Sequence, residues 1–230
     1  LAVVVPAYYY LPRRWRNPLL LVASYIFYGY WDWRFCGLLL LSTVVYYFVG
    51  WRLAHTESEG RRKQLLLLSV CTNLGILGLF KYFNFFVDSF NGMVAAFGWQ
   101  LDFLHLNIIL PVGISFYTFQ TLTYTIDIYR RKLEPTRSFV DFAVYVAFFP
   151  QLVAGPIERA ARLLPQIQKS DRPRREDFRV GIVLISTGMF KKVLIGDTAG
   201  RIVDYIFGQP QYYSSLELLM GLILFSLQIY

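Results

Sequence analysis

The sequence predicts an all-α, polytopic membrane protein with a re-entrant or broken segment near residues 139–157. Three observations carry that expectation. First, 56% of the 230 residues are hydrophobic and 18% aromatic, while only 17% are charged, against about 25% charged in ordinary soluble domains. Second, the apolar residues cluster in long runs: Phe35–Trp51, Leu65–Phe80, Ile108–Ile126, Phe139–Ala154 and Leu216–Tyr230. About 20 residues at 1.5 Å rise cross a hydrocarbon core of roughly 30 Å. Third, the cations sit in short patches between those runs: Arg13, Arg14 and Arg16; then Arg52, Arg61, Arg62 and Lys63; then Arg130, Arg131, Lys132 and Arg137. That is the signature of cytoplasmic loops under the positive-inside rule.

Each element follows from that frame. Taking "PRRWRN" (Pro12–Asn17) as a cytoplasmic loop, Pro18–Trp31 runs outward and "DWRF" (Asp32–Phe35) turns outside with no net charge. Cys36–Trp51 returns, and the basic stretch Arg52–Gln64 lies in the cytoplasm. Leu65 to about Phe90 then rises as one long helix. Asn91–Asn107, which has an aspartate but no Lys or Arg, lies outside. Ile108–Ile128 comes back, and "YRRKLEPTR" (Tyr129–Arg137) lands inside. Tyr28, Tyr30, Trp31, Trp33, Trp51, Trp99 and Tyr129 fall where an aromatic belt anchors helices at the interface.

Beyond Arg137 a simple alternation fails. Residues Glu158 to Arg179 hold seven Lys or Arg against four acidic residues, so they also read as cytoplasmic. One full crossing cannot join two cytoplasmic loops. Pro150 and the Gly155-Pro156 pair each break a helix, and broken backbone at membrane depth survives only when packed in protein or lining a polar cavity. Phe139–Ala154 is therefore expected to enter and leave by one face. In Val180–Phe207, "GIVLISTGMF" is followed by Lys191, Lys192, Asp197, Arg201 and Asp204. A lysine at mid-bilayer costs about 2.5–3.5 kcal/mol, which predicts two short helices near the cytoplasmic face or charges turned into a cavity. "FGQPQYYSS" is a loop whose Ser214 or Ser215 caps a last helix from about Leu216. No repeat or linker marks a second domain. The opening at Leu1 and the apolar run reaching Tyr230 predict a chain cut at both ends.

The net charge of +8 first suggests nucleic acid, but its distribution between apolar runs and the lack of any nucleic-acid motif exclude that class. Cys36 and Cys71 lie inside apolar runs and read as small hydrophobes. No GxSxG, phosphate loop, CxxC or HExxH is present, and no metal ligand set is apparent. His55 and His105 read as solvated loop histidines without partners. Membrane-embedded polar groups are the better candidates. Gln120 and Thr123 share a helical face suited to interhelical hydrogen bonds. Asp127 is placed to pair with Arg130 or Arg131. Gln151, Glu158 and Arg159 flank the broken segment, with Glu158–Arg159 expected as a polar clasp that sets the break. Lys191 and Lys192 complete the set of candidate tunnel-lining or structural polar residues.

The segment "PVGISFYTFQTLTYTIDIYRRKLEPTRSFVDFAVYVAFFPQLVAGPIERAARLLPQI" (Pro111–Ile167) closely resembles the membrane-bound O-acyltransferase family, within its bacterial AlgI-like branch, related to DltB. "RNPLLLVASYIFYGYWDWRF", "KYFNFFVDSFN" and "GMFKKVLIGDTAGRIVDYIF" extend the likeness over the whole chain. The resemblance implies a single transmembrane domain: a multi-helix ring around a tunnel in the bacterial inner membrane. It implies transfer of an acetyl group across the membrane to hydroxyls of an exported polysaccharide such as alginate, or to a relay partner. Acetyl-CoA is then the expected donor, used without a bound cofactor, and an extracytoplasmic acetyl-relay protein an expected partner. The family's catalytic histidine stands in a later Trp-His segment beyond Tyr230, so no catalytic residue is assigned here and the fragment is expected to be inactive alone. A transporter with discontinuous helices, a D-alanyl-transfer protein and a purely structural scaffold remain the alternatives.

Overall fold

The computed structural model describes residues 3–97, 109–152, 157–169 and 174–229. Among them every regular element is helical, in line with the expected all-α class. They fall into two compact units, Leu1–Ser170 and Asp171–Tyr230.

In the first unit, α1 (Val4–Tyr10) leads into α2 (Arg13–Asp32) and α3 (Arg34–His55), which turn over a single residue, Trp33. Asp32 accepts from the Arg34 backbone and guanidinium, with an ion pair of 2.7 Å. That guanidinium holds the Asp32 carboxyl below the usual carboxylate range. Next come α4 (Glu59–Leu77), a π-helical turn (Gly78–Tyr82) and α5 (Phe83–Ala96), which run on as one helix of 38 residues. Then α6 (Ile114–Tyr129), α7 (Phe139–Ala147), α8 (Phe149–Leu152) and α9 (Ala160–Lys169) follow. Arg34–His55 and Glu59–Ala96 are long and apolar enough to cross a membrane. Their outward side chains include Leu41, Phe48, Leu67, Leu68, Phe85 and Phe86, all more than half exposed, the covering a lipid-facing surface requires.

Several boundaries differ from expectation, each for a local reason. The cations of Arg13–Arg16 and Arg61–Lys63 are not in loops but in the first turns of α2 and α4. Arginine and lysine are good helix formers, and α2 continues through Pro18, which lies inside it. The long helix expected from Leu65 begins at Glu59 for the same reason. The returning helix starts at Ile114 rather than Ile108, because Pro111 and Gly113 precede it and Gly113 takes φ +74°. Tyr28 is buried rather than in a belt. Tyr30, Trp31, Trp33 and Trp51 are exposed as expected. His55 closes α3 rather than lying in a loop. The expected outer loop, with Trp99 and His105, lies largely outside the described residues.

The break near residues 139–157 is present. Ser138 caps α7, accepting from the Asp141 amide at 3.2 Å. The helix stops at Ala147 because Pro150 lacks an N–H for the next turn and its ring would meet the Val146 carbonyl. Phe148 turns extended, and α8 restarts with the proline in its first turn. The Gly155-Pro156 pair lies outside the described residues.

In the second unit, α10 (Arg175–Phe190), a π-helical stretch (Lys191–Gly196) and α11 (Asp197–Gly208) form one continuous helical run. This corrects the expected pair of short helices: no proline or turn signal separates Phe190 from Asp197, so the chain absorbs the local mismatch as a π segment. A 3₁₀ turn (Pro210–Tyr212) leads to α12 (Ser215–Ile229). Ser214 caps it as expected: the Glu217 amide donates to Ser214 Oγ at 3.4 Å, and Glu217 Oε2 accepts from the Ser214 amide at 2.7 Å. The Ser214 amide and the Ser214 hydroxyl, both donating to Glu217 Oε2, hold the Glu217 carboxyl below its ordinary range.

Candidate functional site

The centre of the first unit is polar. α6 buries Ile114, Tyr117, Thr118, Gln120, Thr121, Tyr124, Thr125 and Ile128. Toward α4, Thr121 Oγ1 lies 3.2 Å from Asn73 Oδ1, and Ser69 Oγ lies 3.4 Å from Thr125 Oγ1. Arg62, Ser69, Asn73 and Leu77 are the buried residues of α4. Their spacings of seven and four place them on one helical face. At the N-terminal end of that face, Arg62 Nη2 donates to the Tyr129 carbonyl at 2.7 Å and its guanidinium lies 5.6 Å from the Tyr129 ring centroid. It thus holds the last carbonyls of α6, where a cation is favoured.

Toward α7 the contact is reciprocal. Gln120 Nε2 donates to the Tyr145 carbonyl at 2.8 Å, and the Tyr145 hydroxyl donates to the Gln120 carbonyl at 3.1 Å. The same hydroxyl lies 3.5 Å from the Glu158 carbonyl, just ahead of α9. At the other end of this pair of helices, Asn17 Nδ2 donates to Asp141 Oδ1 at 2.7 Å and to the Ile167 carbonyl at 3.2 Å. One side chain of α2 therefore joins the start of α7 to the end of α9. Helices α7 and α9 lie antiparallel, as the two arms of a hairpin. At about 1.5 Å per residue, its 9- and 10-residue arms are each about 15 Å long, half the hydrocarbon thickness.

The apex of the hairpin is fastened from two sides. The Phe149 amide, freed by the break, donates to Ser24 Oγ of α2 at 3.3 Å. Gly113, which precedes α6, packs on the Leu152 carbonyl so closely that an added Cβ would lie 2.5 Å from that oxygen. Only glycine suits both this approach and the positive φ. Tyr28 and Tyr117 bring their hydroxyls near each other between α2 and α6. These two phenols, the Tyr46 hydroxyl and Asn73 Nδ2 are buried without a direct hydrogen-bond partner among the described residues. Buried polar atoms of this kind call for water or a polar ligand.

The sequence-derived candidates separate accordingly. Gln120 joins two helices as expected, whereas Thr123 bonds back to the Gln120 carbonyl within α6. Glu158 contributes its backbone carbonyl to the hairpin, but its carboxylate lies 4.0 Å from Arg162, not on Arg159, which is exposed. The expected Glu158–Arg159 clasp is therefore replaced by Tyr145 and Asn17. Arg162, in the first turn of α9, is the cation nearest the Glu158 carboxylate just ahead of that helix. Asp127 makes no ion pair among the described residues, since Arg131 turns to Glu59 at 3.5 Å. Gln151 lies half-buried in α8. In the second unit Lys191 and Lys192 are exposed, and Lys192 pairs with Asp197 at 2.8 Å. Tyr145, Asn17, Asn73 and Arg62 were missed by sequence reasoning. For α4 the missed signal was polar residues recurring at seven and four within an apolar helix.

Chemically, this centre can orient polar groups and hold a shaped, partly polar interior. His55 stacks on Trp51 at 4.6 Å outside it. Among the described residues no three His, Cys, Asp or Glu side chains could together hold a metal ion.

The chain is similar over 87% of its length to a protein of Azotobacter vinelandii described as a probable alginate O-acetylase AlgI, at 42% identity. A Pseudomonas aeruginosa protein of the same description is 39% identical over all of the chain. A Helicobacter pylori peptidoglycan O-acetyltransferase is 31% identical over 97% of it. The chain spans 40%, 44% and 47% of the length of these three relatives. No family model and no solved structure matches. These relatives bear out the resemblance to the AlgI-like branch.

Proposed function

We propose that the chain is part of a membrane-bound O-acyltransferase of the AlgI-like branch, which passes an acetyl group to hydroxyls of an exported polysaccharide. The observation that carries this reading is similarity along the whole chain to proteins described as alginate and peptidoglycan O-acetylases. The same relatives favour acetyl transfer over a transporter or D-alanyl transfer.

In this reading the chain is one transmembrane domain of the bacterial inner membrane, with its helices in a ring around a tunnel. Residues 139–169 form a re-entrant hairpin in the tunnel wall, entering and leaving by the cytoplasmic face. Support comes from the meeting of Asp141 and Ile167 at Asn17, and from arms too short to cross. The partnerless hydroxyls of Tyr28, Tyr46 and Tyr117 suit a path that polar groups enter. Acetyl-CoA is the proposed donor, the proposed partner is an extracytoplasmic acetyl-relay protein, and the proton-transferring histidine belongs to the later Trp-His segment. The chain's own residues shape and orient.

Deleting the gene tests the function. Acetyl content of the surface polysaccharide, read by proton NMR of the purified polymer, is expected to fall to background and to return with the full-length gene. Unchanged acetylation in a strain without a paralogue would remove the proposal.

A further inference from the structure

We propose that the cytoplasmic groove beside the α3–α4 turn binds the phosphate headgroup of an anionic phospholipid. The groove has a volume of about 770 Å³ and is lined by Arg52, His55, Glu57, Arg61, Gln64 and Leu68, among others. Arg52 and Arg61 are both exposed and, among the described residues, neither has a carboxylate partner. The nearest helix-end acid, Glu59, is instead engaged by Arg131 at 3.5 Å and approached by Arg62 at 4.0 Å. Two guanidiniums thus face the groove against the single carboxylate of Glu57. A planar guanidinium fork matches phosphate oxygens in geometry as well as charge.

His55 adds a third polar edge. Its Nδ1 lies 2.8 Å from the Trp51 carbonyl. A carbonyl only accepts, so Nδ1 carries the hydrogen; in the neutral ring Nε2 is then an acceptor, suited to a hydroxyl of the headgroup rather than to a phosphate oxygen. The occupant is a lipid rather than free phosphate because α4 passes directly from cationic to apolar. Arg61, Lys63 and Gln64 are followed by four leucines, Leu65–Leu68, and Leu67 and Leu68 are each 62% exposed. A headgroup held at Arg52 and Arg61 lays its acyl chains along that leucine face. Trp51, 47% exposed at the same level, is a side chain suited to the membrane interface. The positive-inside pattern puts the groove on the leaflet that holds anionic lipid. The inference rests on the membrane reading alone, not on acetyl transfer, so each can fail without the other.

The test is lipid titration of the intact, delipidated protein in detergent, followed by native mass spectrometry. Phosphatidylglycerol is expected to bind well ahead of phosphatidylcholine. Replacing both groove arginines (Arg52→Gln with Arg61→Gln) is expected to weaken phosphatidylglycerol binding about 25-fold, and Arg61→Gln alone about 5-fold. Arg14→Ala, an exposed cation away from the groove, is expected to change nothing. A matched concentration of inorganic phosphate is expected to leave the lipid in place. Equal binding of the two lipids, an unchanged double variant, or displacement by inorganic phosphate would each overturn the proposal. Both arginines are exposed, and an unaltered melting curve for the double variant separates lost binding from lost folding.

Discussion

Helices α6 and α10, one from each unit, contrast in what they enclose and what they leave bare. Beside its apolar residues α6 buries Thr118, Gln120, Thr121 and Thr125. In α10 the apolar stretch is bare: the helix buries no residue, and Ile182, Val183, Leu184 and Ile185 are 57–68% exposed. In water this would be a misfolded arrangement. In a bilayer it is the expected one, because the surrounding solvent is as apolar as leucine and gives no drive to bury it. Every polar group must then find its partner inside. Apolar side chains in this chain therefore lie both inside and outside, whereas the hydroxyls and the amide of α6 are gathered inside.

The comparison can be broken most severely where backbone meets backbone. Gly113→Ala adds a Cβ against the Leu152 carbonyl at a positive φ, so a loss of about 3 kcal/mol is expected, measured by thermal unfolding in detergent. Next in size is a pair of neighbours. Arg62→Ala removes a buried cation from the α6 carbonyls and should cost about 2–3 kcal/mol. Arg61→Ala, one residue away but exposed, should stay within about 0.5 kcal/mol. Gln120→Ala, which frees the Tyr145 carbonyl, should cost about 1–2 kcal/mol. Leu184→Ala on the exposed face of α10 should again stay within about 0.5 kcal/mol, though leucine is the more apolar loss. If Leu184→Ala proved the costlier of the two, the contrast between the two helices would fail.

The smallest effect is at the α12 cap. Ser214→Ala should cost about 0.5–1 kcal/mol. Glu217, its reciprocal partner, has a depressed folded pKa. Its stabilising contribution is therefore present above the unfolded carboxylate value near 4.5 and fades as pH falls through the lower folded value. In Ser214→Ala that acid-side loss should shrink but not vanish, because the Ser214 amide still donates to Glu217 Oε2, as read from melting curves between pH 6 and about pH 3.

These contrasts also show what was legible in the residues. Apolar runs and cation patches announced the helices, their approximate order and the break before "GPIER", because length and insertion cost act locally. Gln120 was legible as an interhelical donor because an amide inside an apolar run has few other uses. Its partners were not, since Tyr145 reads equally well as an interfacial aromatic until α7 is known to fold back. Arg62 was hidden among Arg61 and Lys63, where only helical phase distinguishes the buried cation. Glu158–Arg159 looked like a clasp because adjacency in sequence suggests contact, yet the Glu158 carboxylate lies nearest Arg162, in the first turn of α9.

The most direct test of the account is the sidedness of residues 139–169. With Cys36 and Cys71 replaced, single cysteines at the two ends of the hairpin, Ser138→Cys and Lys169→Cys, would be labelled with a membrane-impermeant thiol reagent in intact cells and in inverted vesicles. The account predicts that both are labelled only in inverted vesicles, from the cytoplasmic side. Labelling of one from each side would mean that the segment crosses, contradicting both the hairpin and the wall proposed around it.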